Sequence, residues 1–361
     1  MLMNRPRIGW RKFLLFMSQR NSHETWEIVL GDLNGTNRSA GYRPADPIGL
    51  PPIFAWPMKP IRSVKWLLSE FLFPWGFIFV GLAVVSWNWL TPEIGESGGP
   101  ALSLFVIIWL RNCALLSLVA GLLHWYLYSK SSQGAEFKFS PRWPSKTSSR
   151  FLWRNQVYDN AFWSIASGVT VWSTFEAITL WAWTRGIIPG ASWSTNTGYL
   201  IAATVIFFFA SSSHFYLTHR LLHWKPLYRS VHELHHRNVN TGPWTGISMH
   251  PVEHILFFSM FFVWWIVPMH PSVIILTGFF KGLGPAVSHS GFDRLLVSRR
   301  RIPAGDWFHD LHHRHFEVNY GNPEVPFDWL MKTCHDGSDE AQRSMVVRRR
   351  PHSSASGGAA S

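Results

Sequence analysis

The sequence predicts an all-α integral membrane protein. It has about four long transmembrane helices, a short membrane hairpin and a cytosolic helical cap rich in histidine. Three observations carry this. A helix needs about 20 mostly apolar residues to cross the hydrocarbon layer, and 71–90, 101–127, 160–183 and 199–217 all supply such a run. Lys and Arg alternate between the segments that join these runs. Hydrophobic residues make up 47% of the chain and charged residues only 15%, with 22 Trp and 27 Phe. A soluble domain carries about 25% charge, and aromatic rings gather where an apolar body meets a wet interface.

The elements follow in order. Residues 1–65 are basic and Pro-rich, with ten Lys or Arg, and read as a cytosolic lead segment with little regular structure. Near the start, only five apolar residues occur in a row, too few for a signal-peptide core. Residues 66–154 supply the first two spans and a basic loop. The link 91–100 carries Glu93 and Glu96 but no Lys or Arg, 128–155 carries six, and 184–198 carries only Arg185. The positive-inside rule then puts the N-terminus, 128–155, 218–253 and the C-terminal segment on the cytoplasmic side of a bacterial inner membrane or endoplasmic reticulum. The apolar run 255–288 is interrupted by Pro268 and Pro271, so it forms two short spans or a re-entrant hairpin that returns the chain to the same side. Residues 336–361 read as a disordered basic tail. Arg111 and Glu176 fall inside predicted spans. A charge there is costly, so the two are expected to pair.

A net charge of +12 could serve nucleic acid or an anionic membrane face. The charge lies in links between apolar runs, which favours the membrane. The two cysteines, Cys113 and Cys334, form no CxxC pair. A thiolate zinc or iron–sulfur site is thereby excluded, and no disulfide framework is indicated.

Histidine carries the chemistry. Of 18 histidines, 14 fall between His214 and His315. They include His219-x-x-x-His223, His232-x-x-His235-His236 and His309-x-x-His312-His313. On a helix, positions i, i+3 and i+4 share a face, so each cluster turns two or three imidazoles the same way. Eight such nitrogens exceed one ion's needs and fit two ions at four or five each. Imidazole suits Zn, Cu, Fe and Ni alike. The first two clusters follow the fourth span and the third follows the hairpin, so all three can converge just outside the bilayer.

These clusters, in this order, resemble the sterol desaturase and fatty acid hydroxylase superfamily. The likeness covers roughly 155–330, expected to be a catalytic domain ending near 335. It extends to Tyr216 and Arg220 around the first cluster, His250-Pro251-Val252-Glu253, Ser288-His289-Ser290-Gly291-Phe292 and Asn319-Tyr320-Gly321. The first 150 residues carry no matching motif. The resemblance implies two non-haem Fe ions, O2, a lipid substrate and an external electron donor such as cytochrome b5 or a ferredoxin with its reductase. By position the ligands would be His219, His223, His232, His235, His236, His309, His312 and His313, with His289 a ninth and His250 a tenth. Glu233 and Asp310 are expected to accept a hydrogen bond from a ligand's far ring nitrogen, with Tyr216 and Arg220 beside them. His214, His254, His270 and His315 are expected to serve structure, and His23, His124, His335 and His352 look ordinary. The spacing of the first cluster and the lack of a haem-binding HPGG tilt the likeness toward the sterol desaturases.

Two other classes compete. His232-Glu233-x-x-His236 also satisfies HExxH, which would make an intramembrane zinc protease with Glu233 as general base. The third cluster has Asp310 where that motif needs Glu, and one zinc leaves most of these histidines without a role. A metal transporter would need ionisable groups lining a path deep within the spans, whereas the clusters lie beyond the span ends.

Overall fold

The computed structural model describes residues 41–94 and 102–349. The expectations for residues 1–40, for the middle of the link after the first span and for 350–361, His23 and His352 among them, lie outside the described residues. The described residues from Tyr42 onward belong to one compact unit.

Helices dominate. α1 (Pro60–Trp66) runs through a π-helical turn, Leu67–Phe71, to α2 (Trp75–Trp89). The two meet at a bend of 69°. α3 (Leu102–His124) continues through a π-helical turn to Ser129. α4 (Gln156–Trp163), a π-helical stretch and α5 (Thr170–Thr184) make one continuous helical run. α6 (Trp193–Leu222) follows, then α7 (Glu233–His236), α8 (Pro251–Phe258) and α9 (Pro271–Gly282) with its continuation α10 (Gly284–Ser288). A small antiparallel hairpin, β1 (Arg294–Val297) with β2 (Arg300–Pro303), precedes α11 (Trp307–His315). The chain closes with α12 (Phe327–Leu330) and α13 (Asp339–Arg349).

Burial along α3 shows which solvent these helices were selected for. Leu104, Ile108, Arg111, Asn112, Leu116, Ala120 and Leu123 are buried, at the spacing of one helical face. The outward positions Val106, Ile107, Leu110, Leu118 and Leu122 are exposed and apolar. Polar groups inside and aliphatic groups outside is the pattern of a helix facing lipid. The described residues form a mostly helical integral membrane protein with one small β-hairpin.

Three helices are long and apolar enough to cross a membrane: 102–129, 193–222 and 271–288. The bent α1–α2 pair makes a fourth if it counts as one span. Predicted spans one, two and four are found in these positions. The predicted span 160–183 is helical but less apolar than the rest. Its Asn160, Ser164, Ser173, Glu176 and Thr179 are all buried, and it packs against α3, α8 and α9 inside the bundle. The run 255–288 does form a hairpin, turning at Ile266–His270, and its second arm is itself of spanning length. Two expectations of disorder are corrected. Residues from Pro60 are helical, because the Pro-rich lead ends in a proline set at the first helical turn. Asp339–Arg349 also forms a helix, with Asp339 and Glu340 in its first turn.

Arg111 and Glu176 do pair, through Nη2 and Oε1. Asn112 Nδ2 donates to the other carboxylate oxygen at 3.1 Å. Removing one partner of a buried pair costs about 3–5 kcal/mol, while replacing both by apolar groups is often neutral. Glu176→Ala should therefore lower the thermal midpoint of the detergent-solubilised protein sharply. The double variant Arg111→Met with Glu176→Met should recover most of the loss, as read by size-exclusion survival after heating.

Candidate metal centre

α6 delivers the first two imidazoles. His219 and His223 stand four residues apart at its end, where Pro226, three residues past His223, stops the helix. A π-helical turn, Tyr228–His232, ends on His232 and leads into α7, which presents His235 and His236. His289 follows α10. α11 begins on the Asp306 side chain, which accepts from Phe308 N at 2.9 Å, and presents His309, His312 and His313.

Nine of the ten predicted histidines gather, as five and four. His219, His223, His232, His236 and His312 form one group, and His235, His289, His309 and His313 the other. Within each group the candidate donor atoms lie within 4.8 Å of one another. Helical phase explains the division. In each HxxHH the i and i+4 rings share one group and the i+3 ring turns to the other. The second cluster gives His232 and His236 to the first group and His235 to the second. The third cluster reverses this, giving His309 and His313 to the second group and His312 to the first. Both clusters thus straddle the two groups, which adjoin: the His236 and His313 rings are 4.9 Å apart.

Hydrogen bonds fix which nitrogen faces inward. His219 donates Nδ1–H to the Tyr320 carbonyl and His312 to the Val318 carbonyl, both at 2.6 Å. His232 donates Nδ1–H to Glu253 Oε1 at 2.8 Å. A neutral imidazole has one N–H, so all three rings turn an Nε2 lone pair inward. There His219 and His232 Nε2 are 3.0 Å apart, and His312 Nε2 is 3.1 Å from both His223 and His236 Nε2. Lone pairs that close repel unless a cation sits among them. Metal–imidazole bonds of about 2.0–2.1 Å at right angles would set nitrogens about 3 Å apart, so the first group fits a metal ion. In the second group both ring nitrogens of His309 and His313, and Nε2 of His289, are buried with no hydrogen-bond partner. Buried polar atoms are rarely left so, and an ion would take one nitrogen of each of these three rings. Burial holds His232, His236, His309, His312 and His313 far below the usual imidazole value and brings His235 to about 4. All are neutral near pH 7, the form that ligates metal.

The other predicted residues fall elsewhere. His250 caps α8, its Nδ1 accepting from Val252 N at 3.2 Å, and joins neither group. Glu233 is exposed, because its place between His232 and His235 on α7 is the outward one. Asp310 is buried but pairs with Arg314, one turn on, at 2.7 Å. Tyr216 stacks on Phe327, and the Arg220 guanidinium lies 4.1 Å above the Tyr320 ring. His214 bonds Ser259, His254 bonds Ser167 and His270 caps α9, as structural residues would. His315 stacks on His335.

The role expected of Glu233 belongs to Glu253. It stood in view as the fourth residue of His250-Pro251-Val252-Glu253, but nothing local tied it to His232. Asn319-Tyr320-Gly321 also has a job. Asn319, at φ 55°, donates to the Phe308 and His335 carbonyls, and Tyr320 N and Gly321 N donate to the Asp328 carboxylate at 3.0 and 2.8 Å. This pins the carbonyls that hold His219 and His312. Gly291 is required as glycine: at φ 78°, a Cβ there would sit 2.4 Å from Tyr128 Oη.

A cavity of about 390 Å³ lies against both groups, touching His219, His232, His235, His289 and His309. Its other walls are mostly aromatic and aliphatic. The α1–α2 bend contributes Phe71, Leu72, Phe73 and Trp75, so the part of the chain without recognised motifs shapes the space beside the histidines.

Fold and site together define a helical membrane protein with a paired histidine cage at the wall of an apolar cavity. Residues 204–333 match the fatty acid hydroxylase family. The chain is 32% identical over 143 residues to a methylsterol monooxygenase of Aspergillus fumigatus, covering 37% of this chain and 47% of that protein. It is 30% identical over 132 residues to a Delta(7)-sterol 5(6)-desaturase of Saccharomyces cerevisiae, covering 36% and 35%. It is 32% identical over 162 residues to a very-long-chain aldehyde decarbonylase of Oryza sativa subsp. indica, covering 42% and 58%. The chain thus spans about a third to three-fifths of these relatives. No solved structure matches. Over the matched segment the likeness to the sterol desaturase and fatty acid hydroxylase superfamily is borne out.

Proposed function

We propose that this protein is a membrane-bound non-haem di-iron oxygenase that hydroxylates or desaturates a lipid, sterol-like or fatty acyl. The catalytic domain is 155–335, and His219, His223, His232, His236 and His312 hold one iron while His235, His289, His309 and His313 hold the other. The active site faces the cytoplasm, and electrons come from cytochrome b5 or a ferredoxin with its reductase. One observation carries the reading: nine neutral imidazoles, eight of them buried and His223 half-buried, divided five and four, whose inward lone pairs and orphaned nitrogens lie beside an apolar cavity. The choice of iron rests on the family likeness.

Two ferrous ions would supply O2 activation and removal of hydrogen from an unactivated C–H bond. The chain's own part is to position and to exclude water. The Tyr320 and Val318 carbonyls and the Glu253 carboxylate lock three rings in one tautomer and orientation. Phe215 stacks on His219 with ring centres 4.9 Å apart, and Phe257 stands against Phe215 at 6.0 Å. These rings give the lipid an apolar surface beside the histidines.

Anaerobically purified protein given O2, reductant and extracted membrane lipid should convert one lipid to a product heavier by one oxygen or lighter by two hydrogens. The product should vanish under nitrogen and after chelation. Peptide cleavage without lipid oxidation would instead favour the HExxH protease. The exposed side chain of Glu233 already argues against that reading. Glu233→Gln should keep its metal and at least about a third of the lipid-oxidising rate, since surface substitutions cost little, whereas a protease would lose its general base.

A further inference from the structure

We infer that the substrate is a lipid carboxylate, held by an ion pair to Lys281 at the end of the cavity away from the histidines. This rests on the lipid-oxygenase reading and gives its substrate a chemical class.

Among the described residues, three cations are buried: Arg111, Lys138 and Lys281. Arg111 is matched by Glu176. Lys138 donates to the Ser140 and Arg142 carbonyls at 2.7 and 2.6 Å. Lys281, only 3% exposed, has neither carboxylate nor carbonyl. Its Nζ lies 4.2 Å over the Phe257 ring and its side chain lines the cavity. A buried ammonium without a counter-charge is costly, and a ring face offsets only part of that cost. Glu70, Glu253, Asp306 and Glu324 line the same cavity, but among the described residues none forms an ion pair with Lys281, so an entering anion would be the first group to pair with it.

Position sets which part of the ligand meets it. Two rings, Phe257 and Phe215, separate the ammonium from His219. Lys281 precedes His289 by eight residues on α9–α10, as Ser211 precedes His219 on α6, and both line the cavity. Eight residues of helix rise about 12 Å. The neighbours Phe208 and Phe280 touch across the two helices, ring centres 5.0 Å apart, so the helices run in step there and Lys281 stands well short of the histidine ends of both. One ammonium matches one carboxylate in charge. A phosphate monoester brings nearly two charges and would leave one unmatched, and a hydroxyl leaves the ammonium charged. The oxidised carbon is then well removed from the carboxylate.

Equilibrium binding to the iron-loaded protein in nanodiscs tests this without turnover. The probes are palmitate against hexadecanol and lithocholate against its C24 alcohol, each radiolabelled. The carboxylate of at least one pair should bind about tenfold tighter or better, a difference of about 1.4 kcal/mol. Lys281→Met should abolish that preference, Lys281→Arg should keep it, and both should retain wild-type iron. Equal affinity for acid and alcohol in both pairs, or a preference that survives Lys281→Met, would overturn the inference while leaving the oxygenase reading intact. Loss of iron from the wild type would sink that reading instead.

Discussion

His236→Ala and His235→Ala, changes one residue apart, should each remove about one metal ion per chain, and each from a different group. His236 faces His223 and His312 at 3.2 and 3.1 Å between Nε2 atoms. The His235 ring lies 4.7 Å from that of His313 and 5.4 Å from that of His289. Ligand loss should exceed the 10- to 100-fold effect of an outer partner, so both variants should lose about 100-fold or more in lipid oxidation. The double variant should be nearly metal-free. If His235→Ala kept both ions, the division by helical phase would be wrong. His250→Ala serves as the control and should keep full occupancy, because that ring caps α8 outside both groups.

Glu253→Ala is the second large effect. The carboxylate receives His232 Nδ1–H and is itself buried, at 2% exposure. Without it the ring can rotate or take the other tautomer, which would turn an N–H toward the first group. Metal affinity or rate should fall about 10- to 100-fold, the usual cost of losing such a partner. Glu253→Gln keeps the shape and an accepting oxygen and should fall between the wild type and the alanine variant. Competition with a calibrated chelator measures the affinity directly. Equal affinity in Glu253→Ala and wild type would deny the carboxylate this role.

What the sequence reveals follows from the range of each interaction. The histidine clusters were legible because i, i+3 and i+4 spacing is local, and because spans on either side return the chain to one place. The five-and-four division was latent in the same spacing. It needed α7 and α11 placed face to face before each middle ring could be given to the opposite group. Glu253 lies 21 residues from His232, and the carbonyls of Val318 and Tyr320 carry no side-chain signal at all. Lys281 was hidden in an apolar run, where one charge reads as a tolerated exception. The run 160–183 is helical as expected, and it is less apolar than the other spans because it carries a buried polar ladder that faces neighbouring helices.

In the proposed site, two groups of imidazoles assembled from distant parts of the chain would each hold an iron. Metal analysis of the purified protein with Mössbauer spectroscopy of an isotope-enriched sample tests it most directly. The expected result is two high-spin non-haem irons per chain in nitrogen-rich sites that are not identical, one with five and one with four imidazoles. A single tightly held zinc, or a preparation that binds no iron while folded and stable, would contradict it.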